Sequence, residues 1–132
     1  VYGWRALREA LGPGRTRSDT EVILDAWDEW GDAAAERLRG MFALALADPG
    51  AGRVWLLRDR LGIKPLWTAR PPGGGLLVAS EVRALLAAGP ELVPARLDPT
   101  ALEGFLAQGC VYGRASLVAG VELVAPGTSL VL

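Results

Sequence analysis

The chain has 132 residues, of which 51% are hydrophobic and 22% charged, and its net charge is −1. That size and composition suit one core-forming domain, or part of one, and the scattered arginines build no basic patch for nucleic acid. One cysteine, Cys110, and no histidine exclude an internal disulfide, a multi-cysteine zinc site and any Ser-His or Cys-His nucleophile pair.

The opening VYGWRALREAL carries charges inside an amphipathic pattern and is no signal peptide. Trp4, Leu7 and Leu11 stand at helical spacing, so residues 4 to 11 read as a short helix that Gly12-Pro13-Gly14 ends. Ser18 opens a longer helix: Ser18-x-x-Glu21 is a capping box, and Asp19 adds negative charge at the positive helix end. Ile23, Trp27, Trp30 and Ala34 mark its buried face, with Gly31 placed to bend or break it. Met41 to Ala47 has no polar side chain and predicts a strand covered on both faces. A turn at Asp48 to Gly52 leads to a second strand, Val54 to Leu57, then a third at Leu66 to Ala69 and a fourth at Leu76 to Ala79. Strand alternating with turn predicts an antiparallel meander. Ser80-Glu81 reads as a helix start with Val82, Leu85 and Leu86 inward. Asp98-Pro99 is an N-cap followed by proline at the first helical position. Leu102, Phe105 and Leu106 form that helix's apolar stripe, and Gly109 stops it. Val121 to Val124 and Ser129 to Leu132 read as closing strands joined by the Pro126-Gly127 turn. No apolar run approaches the roughly 18 residues of a membrane helix. Periodicity alone thus gives an antiparallel sheet with helices, an α+β chain.

Few residues here offer chemistry. Cys110 has no evident base beside it and reads as a small, half-buried thiol. Gly73 to Gly75 is not a phosphate loop, because no Lys-Ser/Thr follows. A lone thiol fits a reducing compartment, the cytoplasm.

Leu57 to Trp67, LRDRLGIKPLW, is more particular than a strand and turn require. With SDTEVIL (Ser18 to Leu24), GMFALALAD (Gly40 to Asp48) and ASEVRALL (Ala79 to Leu86), it resembles the glutamine-hydrolysing domain of asparagine synthetases, a class II glutamine amidotransferase. Arg60 and Lys64 favour that branch over phosphoribosylpyrophosphate amidotransferases, and Trp67 stands where the family has Tyr. LDPTALEGFLAQGCVYG and GVELVAPGTSL follow the family's tail, so the resemblance runs from Val1 to Leu132.

The resemblance implies a partial four-layer α/β/β/α sandwich of antiparallel sheets, like an N-terminal nucleophile hydrolase. It implies that Asp19 binds the α-amino group of L-glutamine, a match of carboxylate to ammonium that favours a short, strong hydrogen bond. It gives Ser18, Glu21, Arg58, Asp59, Arg60, Gly62 and Lys64 a structural or pocket-supporting role. The family's nucleophile is an N-terminal cysteine whose own α-amine serves as base, and an Asn and a Gly make its oxyanion hole. Val1-Tyr2-Gly3 matches the end of an Asn-Gly-Glu-Ile-Tyr-Asn run, with Gly3 replacing the final Asn. Nucleophile, oxyanion hole and an Arg carboxylate clamp are therefore expected upstream of Val1, and residues 1–132 read as the C-terminal part of the amidotransferase domain. Val1 is not Met, in keeping with a processed, trimmed or incomplete chain. Further implied are a synthetase domain in the same protein, with ATP and Mg²⁺ bound there, and no catalysis by the 132 residues alone. No nucleic-acid or membrane partner is implied, and a homodimer is compatible. Two other readings stay open: a scaffold domain of a β-lactam synthetase or lasso-peptide cyclase relative, and a small non-catalytic α/β binding module.

Overall fold

A computed structural model describes residues 1–132. Helix α1 (Trp4–Leu11) ends at Gly12, whose φ of 88° lies in the left-handed half of backbone space. Helix α2 (Asp19–Trp30) starts on Ser18, whose hydroxyl accepts from the Thr20 N–H at 3.2 Å. The predicted capping box does not close. Glu21 instead accepts from the N–H groups of Arg15 and Thr16 and from the Thr16 hydroxyl, at 2.7 to 2.9 Å. Three donors from the preceding loop outcompete the single Ser18 N–H, which donates to Thr16 Oγ1. Gly31 does break the helix, and a 3₁₀ turn (Gly31–Ala33) and helix α3 (Ala34–Arg37) follow.

Six strands come next: β1 (Ala43–Asp48), β2 (Arg53–Arg58), β3 (Trp67–Ala69), β4 (Leu77–Ala79), β5 (Val121–Leu123) and β6 (Ser129–Val131). Helices α4 (Val82–Leu86) and α5 (Pro99–Gln108) separate β4 from β5. All pairings are antiparallel, but the strands form two sheets, β1-β2-β6 and β4-β3-β5, rather than one meander. The break falls at Asp59 to Leu66, where the chain leaves β2 for the other sheet. β5 and β6 likewise belong to different sheets, so Pro126-Gly127 is a crossing and not a hairpin turn.

Side-chain alternation along the strands sets the layers. Trp55 and Leu57 of β2 and Leu46 of β1 face α2 and α3, packing on Ile23, Trp27 and Leu38. Trp27 and Trp55 meet edge to face, with ring centroids 5.6 Å apart. Leu56, on the other face of β2, packs with Leu66 and Val124 between the sheets and is fully buried. The outer face of the second sheet, through Ala69 and Val121, receives Leu85 of α4 and Val93. The order is helices, sheet, sheet, helix: an α+β chain of antiparallel sheets in four layers.

Three packing expectations change. β1 is an edge strand, and the second sheet covers only Ala43 on its inner face, so Ala45 and Ala47 are exposed rather than covered. Helix α5 has its predicted Asp98 cap, which accepts from the Ala101 N–H at 3.0 Å, but only Ala101 is buried. Phe105 and Leu106 of the predicted stripe are exposed, because no other element packs against that face. Cys110, two residues beyond α5, is exposed and not half-buried. Before α4 the cap position falls to Glu81, with no side-chain cap bond, and Ser80 does not cap. No helix is long and apolar enough to cross a membrane.

Candidate functional site

Asp19 is the first residue of α2, where the unpaired N–H groups and the helix dipole favour a carboxylate. Its side chain is 45% exposed and opens onto clefts on either side. One, of about 520 Å³, runs along Val1 to Arg5. The other, of about 450 Å³, lies between Asp19, Met41 and Phe42 on one wall and Lys64, Pro65 and Glu81 on the opposite wall. Both volumes fall in the range of small-molecule sites. Asp19 Oδ2 accepts from the Val1 nitrogen at 2.8 Å.

The wall across from Asp19 belongs to the run from Arg58 to Pro65. Arg58 and Asp59 are buried, yet they do not pair with each other or at the surface. Both bond to backbone. Arg58 donates Nε to the Lys64 carbonyl at 2.9 Å, Nη2 to the Gly62 carbonyl at 2.6 Å and Nη1 to the Val124 carbonyl. Asp59 accepts from the N–H groups of Leu61 at 3.2 Å, Ile63 at 3.0 Å and Lys64 at 3.0 Å. Burial works to raise the Asp59 carboxyl, but the backbone N–H groups of Lys64, Ile63, Phe42 and Leu61 outweigh it and hold the carboxyl below its ordinary value.

Gly62 is required by geometry: its φ is 65°, and a Cβ there would meet Pro126 Cγ at 2.8 Å and Arg58 Cζ at 3.0 Å. Arg60 turns the other way, donating to the carbonyls of Leu38 and Glu36 at 2.9 Å, so it satisfies the C-terminal end of α3. The structure therefore brings Asp19 and Lys64 to one cleft. Ser18 and Glu21 order the start of α2, while Arg58, Asp59 and Gly62 shape the opposite wall. Cys110 lines neither cleft. Met41, Pro65 and Glu81, also on the cleft walls, carry no signal in spacing or residue type that marks them as lining.

The family profile described as "Glutamine amidotransferase domain" matches residues 1–132. The chain belongs to that family. It is 38% identical to asparagine synthetase [glutamine-hydrolyzing] 3 of Bacillus subtilis over 92 residues, covering 70% of this chain and 14% of that protein. It is 42% identical to asparagine synthetase B [glutamine-hydrolyzing] of Escherichia coli over 89 residues, covering 65% of this chain and 16% of that protein. A third relative, asparagine synthetase [glutamine-hydrolyzing] 1 of Bacillus subtilis, is 31% identical over 136 residues, covering the whole chain and 21% of its own length. The chain thus spans a small share of the curated relatives it matches.

In this amidotransferase domain the loop before α2 makes a prediction about acid. The Thr16 hydroxyl, then the Thr16 and Arg15 N–H groups, hold Glu21 down to about 2 from an ordinary 4.5. A carboxyl lowered by folding stabilises the folded state above its unfolded pKa. That contribution is lost as pH falls from about 4.5 through about 2. Glu21→Gln removes the titrating group, so the drop in melting temperature between pH 6 and pH 3 is expected to be smaller in the variant. An unchanged drop would remove Glu21 from the acid response.

Proposed function

We propose that this domain is the glutamine-hydrolysing portion of an asparagine synthetase-like enzyme. The observation that supports the reading is Asp19, a carboxylate at a helix N-terminus that is 45% exposed and open to a cleft of about 450 Å³. In this reading Asp19 accepts from the ammonium of L-glutamine, and the cleft between α2 and the Lys64-Pro65 wall orients the amino acid.

This part of the domain binds and positions. The bond-making groups, a cysteine with its own α-amine as base and an Asn-Gly oxyanion hole, come from residues N-terminal to Val1. That assignment makes residues 1–132 the C-terminal part of the amidotransferase domain. Ammonia released from glutamine then attacks a β-aspartyl-AMP, formed from aspartate and ATP with release of pyrophosphate in a synthetase domain of the same protein, and AMP leaves as asparagine forms. ATP and Mg²⁺ are assigned to that other domain.

The test is ammonia release from glutamine. The complete polypeptide is expected to release it, and the 132-residue chain alone is expected to release none. A complete polypeptide that releases no ammonia would replace this reading with the scaffold role.

A further inference from the structure

We propose that Arg58 and Asp59 are positioning residues that set the separation between the two walls of the Asp19 cleft. The cleft is built from two layers. Asp19, Met41 and Phe42 come from α2 and the lead-in to β1, while Lys64, Pro65 and Glu81 come from the entries to β3 and α4 in the second sheet. Side chains alone would leave the spacing of these walls to the packing of two sheets, a contact that tolerates sliding.

The clamp removes that freedom. Arg58, at the end of β2 in the first sheet, donates to the carbonyl of Val124, just past β5 in the second. The Val124 N–H in turn donates to the Leu66 carbonyl at 2.8 Å, ahead of β3. The backbone of Asp59 donates to the Phe42 carbonyl at 3.0 Å, which ties the same turn to the first wall. Its carbonyl accepts from Gly62 and Gly127, each at 2.9 Å. The Asp59 carboxylate and the Arg58 guanidinium then fix the N–H and the carbonyl of Lys64. Pro65 restricts the residue before it to extended backbone. Lys64 itself is exposed. Two buried charges thus hold the backbone of an exposed cleft residue, and they link both walls through one turn. Charges buried this way stand only because each lone pair and donor used is satisfied. That condition makes the turn rigid rather than adjustable.

Cleft width can be read without reference to any substrate. Thr20→Cys and Glu81→Cys, both exposed on the cleft walls, are introduced into the complete polypeptide with Cys110 and every other native cysteine, the N-terminal nucleophile of the glutaminase reading included, replaced by Ser. The pair is then cross-linked with bis-maleimides of graded length. Asp59→Asn keeps one acceptor oxygen for three N–H groups. Should that variant fail to fold, Arg58→Lys keeps the charge but loses the planar fork that reaches three carbonyls. Either change is expected to broaden the linker profile and shift it to longer spans. A profile identical to the parent's would overturn the proposal.

The second readout rests on the glutaminase reading. With the native cysteines in place and none added, the same clamp variants should show a several-fold higher KM for glutamine and a smaller change in kcat. Val93→Ala, a core change away from the cleft, serves as control. It lowers the folded fraction and so the apparent kcat, but leaves KM unchanged. A clamp variant that behaves like Val93→Ala would count against positioning. Shifted linkers, with no glutamine hydrolysis by the polypeptide that keeps its native cysteines, would keep the clamp and remove the glutaminase reading.

Discussion

Asp19→Asn is expected to raise the KM for glutamine of the complete protein by roughly 10- to 100-fold, the loss of one hydrogen bond between full charges. Asn keeps the shape and one acceptor oxygen, so the effect isolates the charge. Asp19 sits in the first turn of α2 and favours the helix through the dipole, a contribution of only about 0.3–1 kcal/mol. The fold should therefore survive, and a melting curve near the parent's would accompany the weakened binding. Asp19→Glu, which restores the charge on a longer arm, should recover part of the loss. A KM within twofold of the parent in Asp19→Asn would detach this carboxylate from substrate binding.

The second large effect falls on the core between the sheets. Leu56 is 0% exposed and packs against Leu66 and Val124 from the other sheet. Truncation there leaves a cavity between two hydrogen-bonded layers that cannot close over it. Leu56→Ala is expected to lower stability by about 3–5 kcal/mol, the upper part of the range for buried leucines. Leu106→Ala makes the contrast, because that side chain is 75% exposed on α5 and its loss should cost under about 0.5 kcal/mol. Urea unfolding of both variants measures the difference. Equal effects would mean that α5 packs as the helical spacing of Leu102, Phe105 and Leu106 suggested.

Helix ends and strands were legible because their signals are local. Asp98-Pro99 announces a helix start, and Gly31 and Gly109 announce ends, through backbone preferences that act within a few residues. The grouping of strands was not legible in the residues. A meander and two stacked sheets share the same strand-turn-strand pattern, and the choice rests on the turn from Asp59 to Leu66, whose partners lie as far away as Val124 and Gly127. Burial failed for the same reason at Ala45 and Ala47: apolar composition says a face can be covered, not that a neighbour reaches it.

The candidate site divides in the same way. SDTE reads locally as a capping box, and Asp19 stood out only through family resemblance. Its position on a cleft depends on the second sheet, which no spacing in α2 reveals. Glu21 shows how close competitors mislead: a box partner three residues away lost to Arg15 and Thr16 in the loop behind it. The motif from Arg58 to Lys64 was conspicuous as a sequence, but charges in a turn ordinarily imply a solvated surface. Only the fold places Arg58 and Asp59 inside, bonded to backbone.

Under the proposed function, this domain feeds the amide nitrogen of glutamine to an aspartyl acceptor, with Asp19 holding the donor. Glutamine carrying ¹⁵N in its side-chain amide, given to the complete polypeptide with aspartate, ATP and Mg²⁺, tests it most directly. The predicted result is ¹⁵N in the side-chain amide of asparagine, with transfer in Asp19→Asn depressed at low glutamine and approaching the parent's at saturation. Asparagine formed from free ammonia but never labelled from glutamine would contradict it.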